Sequence, residues 1–204
     1  MSDYKDALKK TLENLPSDWL RLTTHRLDIY NEKLAKTEFL EKYEAISEKN
    51  SETLENLPTA FDYIRLGHPL SCVLEWALAK ESSLNPNSVI SFSSQTMPIL
   101  AVLRKNKFLG KKTRIVIEES LPDSFDQDLL KSVYQYDFEV IAHQAGTPLA
   151  AFGGTTVFVG TGPHVGADIV VRLYSGRGSV IQVMDNDADL IKEIQHVRRR
   201  ESIA

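Results

Sequence analysis

The feature that most constrains this chain is a series of short β-branched runs separated by helical patterns. Three runs lie within 88–93, 113–118 and 138–143, with Val89-Ile90, Ile115-Val116-Ile117 and Val140-Ile141 at their centres. A fourth is Thr155-Thr156-Val157-Phe158-Val159. Helical patterns fill 97–108 between the first and second runs and 126–136 between the second and third. Strands alternating with helices of ~3 turns predict right-handed crossovers between parallel strands. The expected fold class is therefore α/β: a helical N-terminal portion over 1–85, then a doubly wound, mainly parallel Rossmann-like sheet over 86–204.

That architecture directs attention to the strand ends. Open α/β sheets bind ligands beyond the carboxyl ends of their strands, near the point where the strand order reverses. Small or polar residues follow each run: Ser91, Ser93, Ser94 and Gln95; Glu118, Glu119 and Ser120; His143 and Gln144; Gly160, Thr161 and Gly162. Taken singly they are ordinary turn and cap residues. Taken together they predict a pocket at one rim of the sheet. Glu118 and Glu119 would face opposite sides of a persisting strand, which separates them as a catalytic pair. The backbone of Gly160-Thr161-Gly162-Pro163 can wrap a phosphate, although the proline removes one donor, and Arg172 or Arg177 can supply the opposing charge. The expected ligand is a phosphorylated small molecule.

Composition narrows the classes. With 204 residues, 42% apolar and 25% charged, the chain is long enough for a full core. A net charge of −4 gives no global attraction for nucleic acid. Arg198-Arg199-Arg200 complements the C-terminal dipole of a closing helix, as Asp185, Asp187 and Asp189 complement its start. Cys72 is the single cysteine, so no internal disulfide is possible, and its apolar surroundings predict a buried thiol. Five scattered histidines and one cysteine give no zinc-ligand spacing, and no metal or cofactor is expected. No run is apolar enough for a membrane span and the first residues lack the apolar core of a signal peptide, which together predict a cytoplasmic protein.

The helical portion reads in order. Tyr4, Leu8, Leu12 and Leu15 mark an amphipathic helix over 3–15, stopped by Pro16. One or two helices follow between Trp19 and Tyr43, with Leu20, Leu27, Tyr30, Leu34 and Leu40 as their stripe. Residues 44–56 are a loop or an exposed helix. Thr-Leu-Glu-Asn-Leu-Pro occurs at 11–16 and again at 53–58, each time as a last helical turn ended by proline. An aromatic segment over 61–66 is broken by Gly67 and Pro69. A helix over 69–80 then presents Leu70, Val73, Leu74, Ala77 and Leu78, with Pro69 in its first turn and Trp76 flanking. Beyond the fourth run, 167–173 and 180–183 are further strands joined by a turn at Ser175-Gly176-Arg177-Gly178, and a helix over 188–200 closes the chain with Leu190, Ile191, Ile194 and Val197 inward.

The residues at the strand ends resemble a known family. Val89 to Ser94, then Gly110-Lys111-Lys112, then Thr113 to Asp123 are similar to the initiation factor 2B-like family. That family holds subunits of a translation-factor exchange complex and methylthioribose-1-phosphate and ribose-1,5-bisphosphate isomerases. Its Thr-Glu-x-Arg-Pro signature is matched at Glu119 and Pro122, with Leu121 in the arginine's place. Phe138 to Ile141 and Thr156 to Gly160 match two further strands in order. Ser93 or a neighbour stands where the isomerases carry a cysteine. Their aspartate after the fourth strand is replaced by Thr161, unless Val165-Gly166-Ala167-Asp168 is aligned there instead. The resemblance implies a dimeric regulatory or non-catalytic binding protein that senses a nucleotide or phosphorylated sugar. Its alternative is a sugar-phosphate isomerase with Ser93, His143 and Asp168 as catalytic residues. Tyr63 to Pro69 and Ser91 to Ser94 also faintly resemble the early part of cystathionine-type pyridoxal-phosphate enzymes. Those chains are far longer, with a Schiff-base lysine well downstream that has no counterpart here.

Overall fold

Among the described residues, seven α-helices and six strands fall in two compact units, residues 1–86 and 87–201. The structure is a computed structural model that describes residues 3–20, 32–58, 68–144, 146–161, 166–174, 178–185 and 187–201.

The first unit contains α1 (Asp3–Glu13), α2 (Glu32–Ala45), α3 (Ser51–Glu55) and α4 (Pro69–Ser82). Both copies of the hexapeptide end their helix at its glutamate, Glu13 and Glu55. Asn50 starts α3 with a reciprocal capping box: its side chain accepts from Thr53 N, and Thr53 Oγ1 accepts from Asn50 N. His68 caps α4 by accepting from Leu70 N at 3.1 Å, with Pro69 in the first turn where a missing N–H costs nothing. The core is a run of rings: Trp19 against Phe39 at 5.8 Å, Phe39 on Tyr43 at 6.1 Å, Tyr43 edge-on to Trp76 at 5.2 Å.

Two expected helix faces hold in part: Tyr4, Leu8 and Leu15 pack on the core, as do Leu70, Val73 and Ala77 of α4, but each helix also departs from its predicted stripe. On α1, Thr11 is fully buried, with its hydroxyl 2.7 Å from that of Tyr43, while Leu12 is 55% exposed. On α4, Cys72, Glu75 and Trp76 point inward, and Leu74 is exposed. In each case a specific polar partner in the core outweighs the apolar stripe. Cys72 is buried and outside any disulfide, as expected. The aromatic segment over 61–66 lies outside the described residues, as do Leu27 and Tyr30, and the side chains of Leu20 and Leu34 are likewise not described.

The second unit is a mainly parallel α/β sheet. Its strands are β1 (Val89–Phe92), β2 (Thr113–Ile117), β3 (Phe138–Ala142), β4 (Thr155–Val159), β5 (Ile169–Leu173) and β6 (Ser179–Val183). They lie in the order β1-β6-β5-β4-β2-β3. β2 pairs in parallel with β3 and β4, and β4 with β5; β6 runs antiparallel to both β5 and β1. β1 to β5 therefore all point one way. The β5–β6 pairing is the expected hairpin, although Ser175, Gly176 and Arg177 of its turn lie outside the described residues.

Alternation along each strand sorts the core. Ile90, Phe92, Ile115, Val157, Val159, Ile169, Val171, Ile181 and Val183 face α5 (Met97–Leu109), α6 (Gln127–Ser132) and α7 (Ala188–Glu201). Leu190, Ile191, Ile194 and Val197 of α7 are all buried there, and Arg104 of α5 pairs with Glu193 of α7 at 3.3 Å. On the other face a smaller cluster of Val116, Phe158, Ala167 and Val170 is covered by Leu149 and Met184. The β3–β4 connection crosses that face without a helix. Arg114 anchors it by donating to Ala150 O at 2.6 Å and standing over the Phe152 ring at 4.6 Å. α6 stops at Ser132 rather than reaching Tyr136. Gln135 turns into the left-handed region (φ 54°), and Tyr136 N closes back on Leu130 O.

Gly154 is where the β3–β4 connection meets the start of β4. A Cβ there would collide with the carbonyl of Lys112, which accepts from Thr155 N at 2.9 Å. Gly154→Ala is expected to cost about 1–3 kcal/mol in urea unfolding. Gly153→Ala, with open space around it, should cost far less.

Candidate functional site

The five parallel strands deliver their following residues to one rim, as the sequence predicts, but they do not deliver them to one place. β1 and β3 are the two edges of the sheet. Ser93 after β1 and His143 after β3 are therefore five strand spacings apart, roughly 24 Å. Asp168 precedes β5, so it sits at the opposite end of the strands, where its carboxylate accepts from Thr156 N at 2.7 Å. Ser93, His143 and Asp168 thus form no common catalytic group. Periodicity places a residue along a strand but is silent on the order of the strands.

The remaining predicted rim residues are largely bonded to their neighbours. Ser94 Oγ accepts from Thr96 N and Met97 N, both at 3.2 Å, and Pro98 has no N–H, so the first donors of α5 are already used or missing. Ser94 O accepts from Ser179 Oγ at 2.5 Å, and Gln95 Nε2 donates to Tyr174 O at 2.8 Å. The reversal in strand order falls between β2 and β4. There Glu118 Oε2 accepts from Thr161 N at 2.8 Å and from its hydroxyl at 3.1 Å. Gly160 leaves room for that carboxylate: a Cβ would lie 2.5 Å from Oε2. Glu118, not Glu119, is the engaged acid, and its alternation with Val116 is the signal that assigns its face. Glu119, Ser120 and Gln144 are exposed; Gln144 O accepts from Thr147 N. The His143 ring packs edge-on against Phe158 at 5.5 Å. Ser91 and Arg172 are half-buried on the sheet face away from α5. Gly162 lies outside the described residues, as do Pro163 and Arg177. Among the described residues no three His, Cys, Asp or Glu side chains cluster as a metal site.

A cavity of about 560 Å³ lies instead in the helical unit. α1 contributes Tyr4, Asp6, Ala7 and Lys10; the end of α2 contributes Glu44; the following loop contributes Ile46, Ser47 and Lys49; α4 contributes Trp76 and Lys80. Tyr4 and Trp76 meet edge-to-face at 6.4 Å. Lys49 is held over the Tyr43 ring at 4.7 Å and donates to Ile46 O at 2.8 Å. Glu44 Oε1 takes both Trp76 Nε1 at 2.6 Å and Lys80 Nζ at 2.7 Å. Burial pushes the Glu44 carboxyl up, but the Lys80 and Trp76 hydrogen bonds and the charges of Lys80 and Lys49 outweigh it, leaving it below its ordinary 4.5. Burial raises the Tyr43 phenol, against the Thr11 hydrogen bond and with the help of the Glu44 charge. Three ammonium groups against two carboxylates leave this aromatic-walled cavity net positive. No sequence pattern marks this cavity, because its parts are spread over four segments and each looks like a solvated helix face.

No family model matches the chain, and no curated protein matches it. Solved structures similar to this chain include cystathionine γ-synthase from Xanthomonas oryzae pv. oryzae. It is 16% identical, with 73% of this chain and 50% of that one covered, at a TM-score of 0.47. Cystathionine γ-lyase from Lactobacillus plantarum is 12% identical over 70% and 49% of the two chains, at 0.43. The metB protein of Corynebacterium glutamicum is 12% identical over 97% and 58%, at 0.46. The chain spans about half the length of these proteins. These findings correct the expected kinship. The neighbours are pyridoxal-phosphate enzymes, not members of the initiation factor 2B-like family, and the regulatory and sugar-phosphate isomerase readings fall with it. No helix among the described residues is long and apolar enough to cross a membrane.

Proposed function

We propose that this protein binds a small organic anion with a flat apolar body, and that the helical unit holds it. The observation that carries this reading is the cavity of about 560 Å³ walled by Tyr4 and Trp76 and ringed by Lys10, Lys49 and Lys80. Its volume falls in the range of small-molecule sites, and its mix of rings and a few convergent charges is what such sites use for affinity and orientation. Apolar faces take up the ligand body, while the ammonium groups select for negative charge. With a single cysteine the chain has no internal disulfide, which suits a reducing compartment, so we place the protein in the cytoplasm.

The test is calorimetric titration with benzoate, phenyl phosphate and the neutral analogue benzyl alcohol. The anions are expected to bind at roughly millimolar affinity or better, and the neutral compound at least about tenfold more weakly. Lys80→Met should weaken the anions and leave benzyl alcohol unchanged. Equal affinity for charged and neutral compounds, or no binding of either anion, would overturn the reading.

A further inference from the structure

We infer that the Glu44 carboxylate stands in the place of a ligand carboxylate, so that the ligand binds by displacing it. This rests on the reading of the cavity as an anion site. Trp76 and Lys80 both line the cavity, and their Nε1 and Nζ converge on a single oxygen, Glu44 Oε1, at 2.6 and 2.7 Å. Two donors aimed at one point form a seat for one carboxylate oxygen. The present occupant is tethered loosely. Glu44 lies one residue from the C-terminal end of α2, next to the loop that carries Lys49, and its side chain is 44% exposed. It can therefore rotate into solvent, where water replaces its hydrogen bonds, without unpacking any core residue.

The indole donor cannot leave in the same way, whereas Lys80, 45% exposed, can follow an incoming carboxylate. Trp76 is 4% exposed and wedged edge-on against both Tyr4 and Tyr43. Lys80 stands 5.9 Å from the centre of the Trp76 ring. Lys49, 9% exposed and bonded to Ile46 O, adds positive charge from the loop after α2. The lowered proton affinity of Glu44 reports the same positive potential at its seat. The ligand class is accordingly a monocarboxylate with a flat apolar body that can lie against Tyr4 while its carboxylate meets the indole N–H and the lysine. No covalent step is involved.

The experiment compares benzoate binding to the wild type, Glu44→Gln and Glu44→Gln/Lys80→Met by calorimetry, with melting curves to confirm that each variant is folded. Glu44→Gln removes the competing charge and should tighten benzoate about five- to tenfold. Adding Lys80→Met should abolish that gain. Phenyl phosphate should gain in the same direction. Benzoate binding that is unchanged or weaker in Glu44→Gln, with the wild type still binding, overturns the displacement and leaves the cavity reading intact. No benzoate binding by any folded form overturns both. Glu44→Ala checks that the gain comes from lost charge rather than from the new amide: it should tighten benzoate as well, and weaker binding counts against displacement.

Discussion

Replacing Lys36 by methionine is expected to lower the unfolding free energy by about 3–5 kcal/mol. Lys36 Nζ lies 2.6 Å from Glu75 Oε2 and donates to Pro86 O at 2.6 Å. The two side chains are 8% and 0% exposed. Methionine fills much the same volume but leaves the Glu75 carboxylate inside the helical unit without its cation. A buried charge that loses its partner costs several kcal/mol, whereas an apolar pair in the same space is close to neutral. The double variant Lys36→Met/Glu75→Leu should therefore recover most of the loss. Urea unfolding of the two single variants and the double variant completes the cycle. A Lys36→Met loss below about 1 kcal/mol would mean that the pair behaves as a solvated surface contact.

Phe39→Ala should cost a similar amount, about 3–5 kcal/mol. Phe39 is fully buried, with Trp19 tilted against it at 5.8 Å and Tyr43 stacked on it at 6.1 Å. Truncation leaves a void that two large rigid rings cannot close by small rotations, so the loss should fall toward the upper part of that range. The effect should also reach the cavity, because Tyr43 supports Trp76 edge-on at 5.2 Å and carries Lys49 over its ring. Benzoate affinity is expected to drop together with stability. Phe39→Leu keeps much of the volume and should cost less than half as much. Urea unfolding followed by tryptophan emission reads both, since Trp19 and Trp76 are the chain's two tryptophans and both touch this run of rings.

How much of the site was legible follows from what local pattern encodes. That the rim would collect polar residues could be read, because strand direction follows from alternation with crossover helices. That Ser94 is a turn residue at the start of α5 could be read as one of two uses of the same residue. The cavity of the helical unit could not. Lys49, Lys80, Glu44 and Trp76 meet only because α1, α2 and α4 pack as they do, and no spacing in the chain announces it. The same holds for Thr11, buried in place of Leu12 because the Tyr43 hydroxyl meets it, and for Glu75, buried because Lys36 comes to it from another helix.

The chain's own pattern determined which segments are strands and helices, where caps and prolines end them, and which side of each strand is apolar, since these depend on neighbours within a few residues. Only the tertiary structure decided that β6 enters between β1 and β5, which sends Ser93 and His143 to opposite edges of the sheet. A strand's two hydrogen-bonding edges are chemically alike, so its choice of neighbour is settled by long-range packing and by the short β5–β6 connection. The partners of each buried polar group were decided in the same way, by contacts between residues distant in the chain.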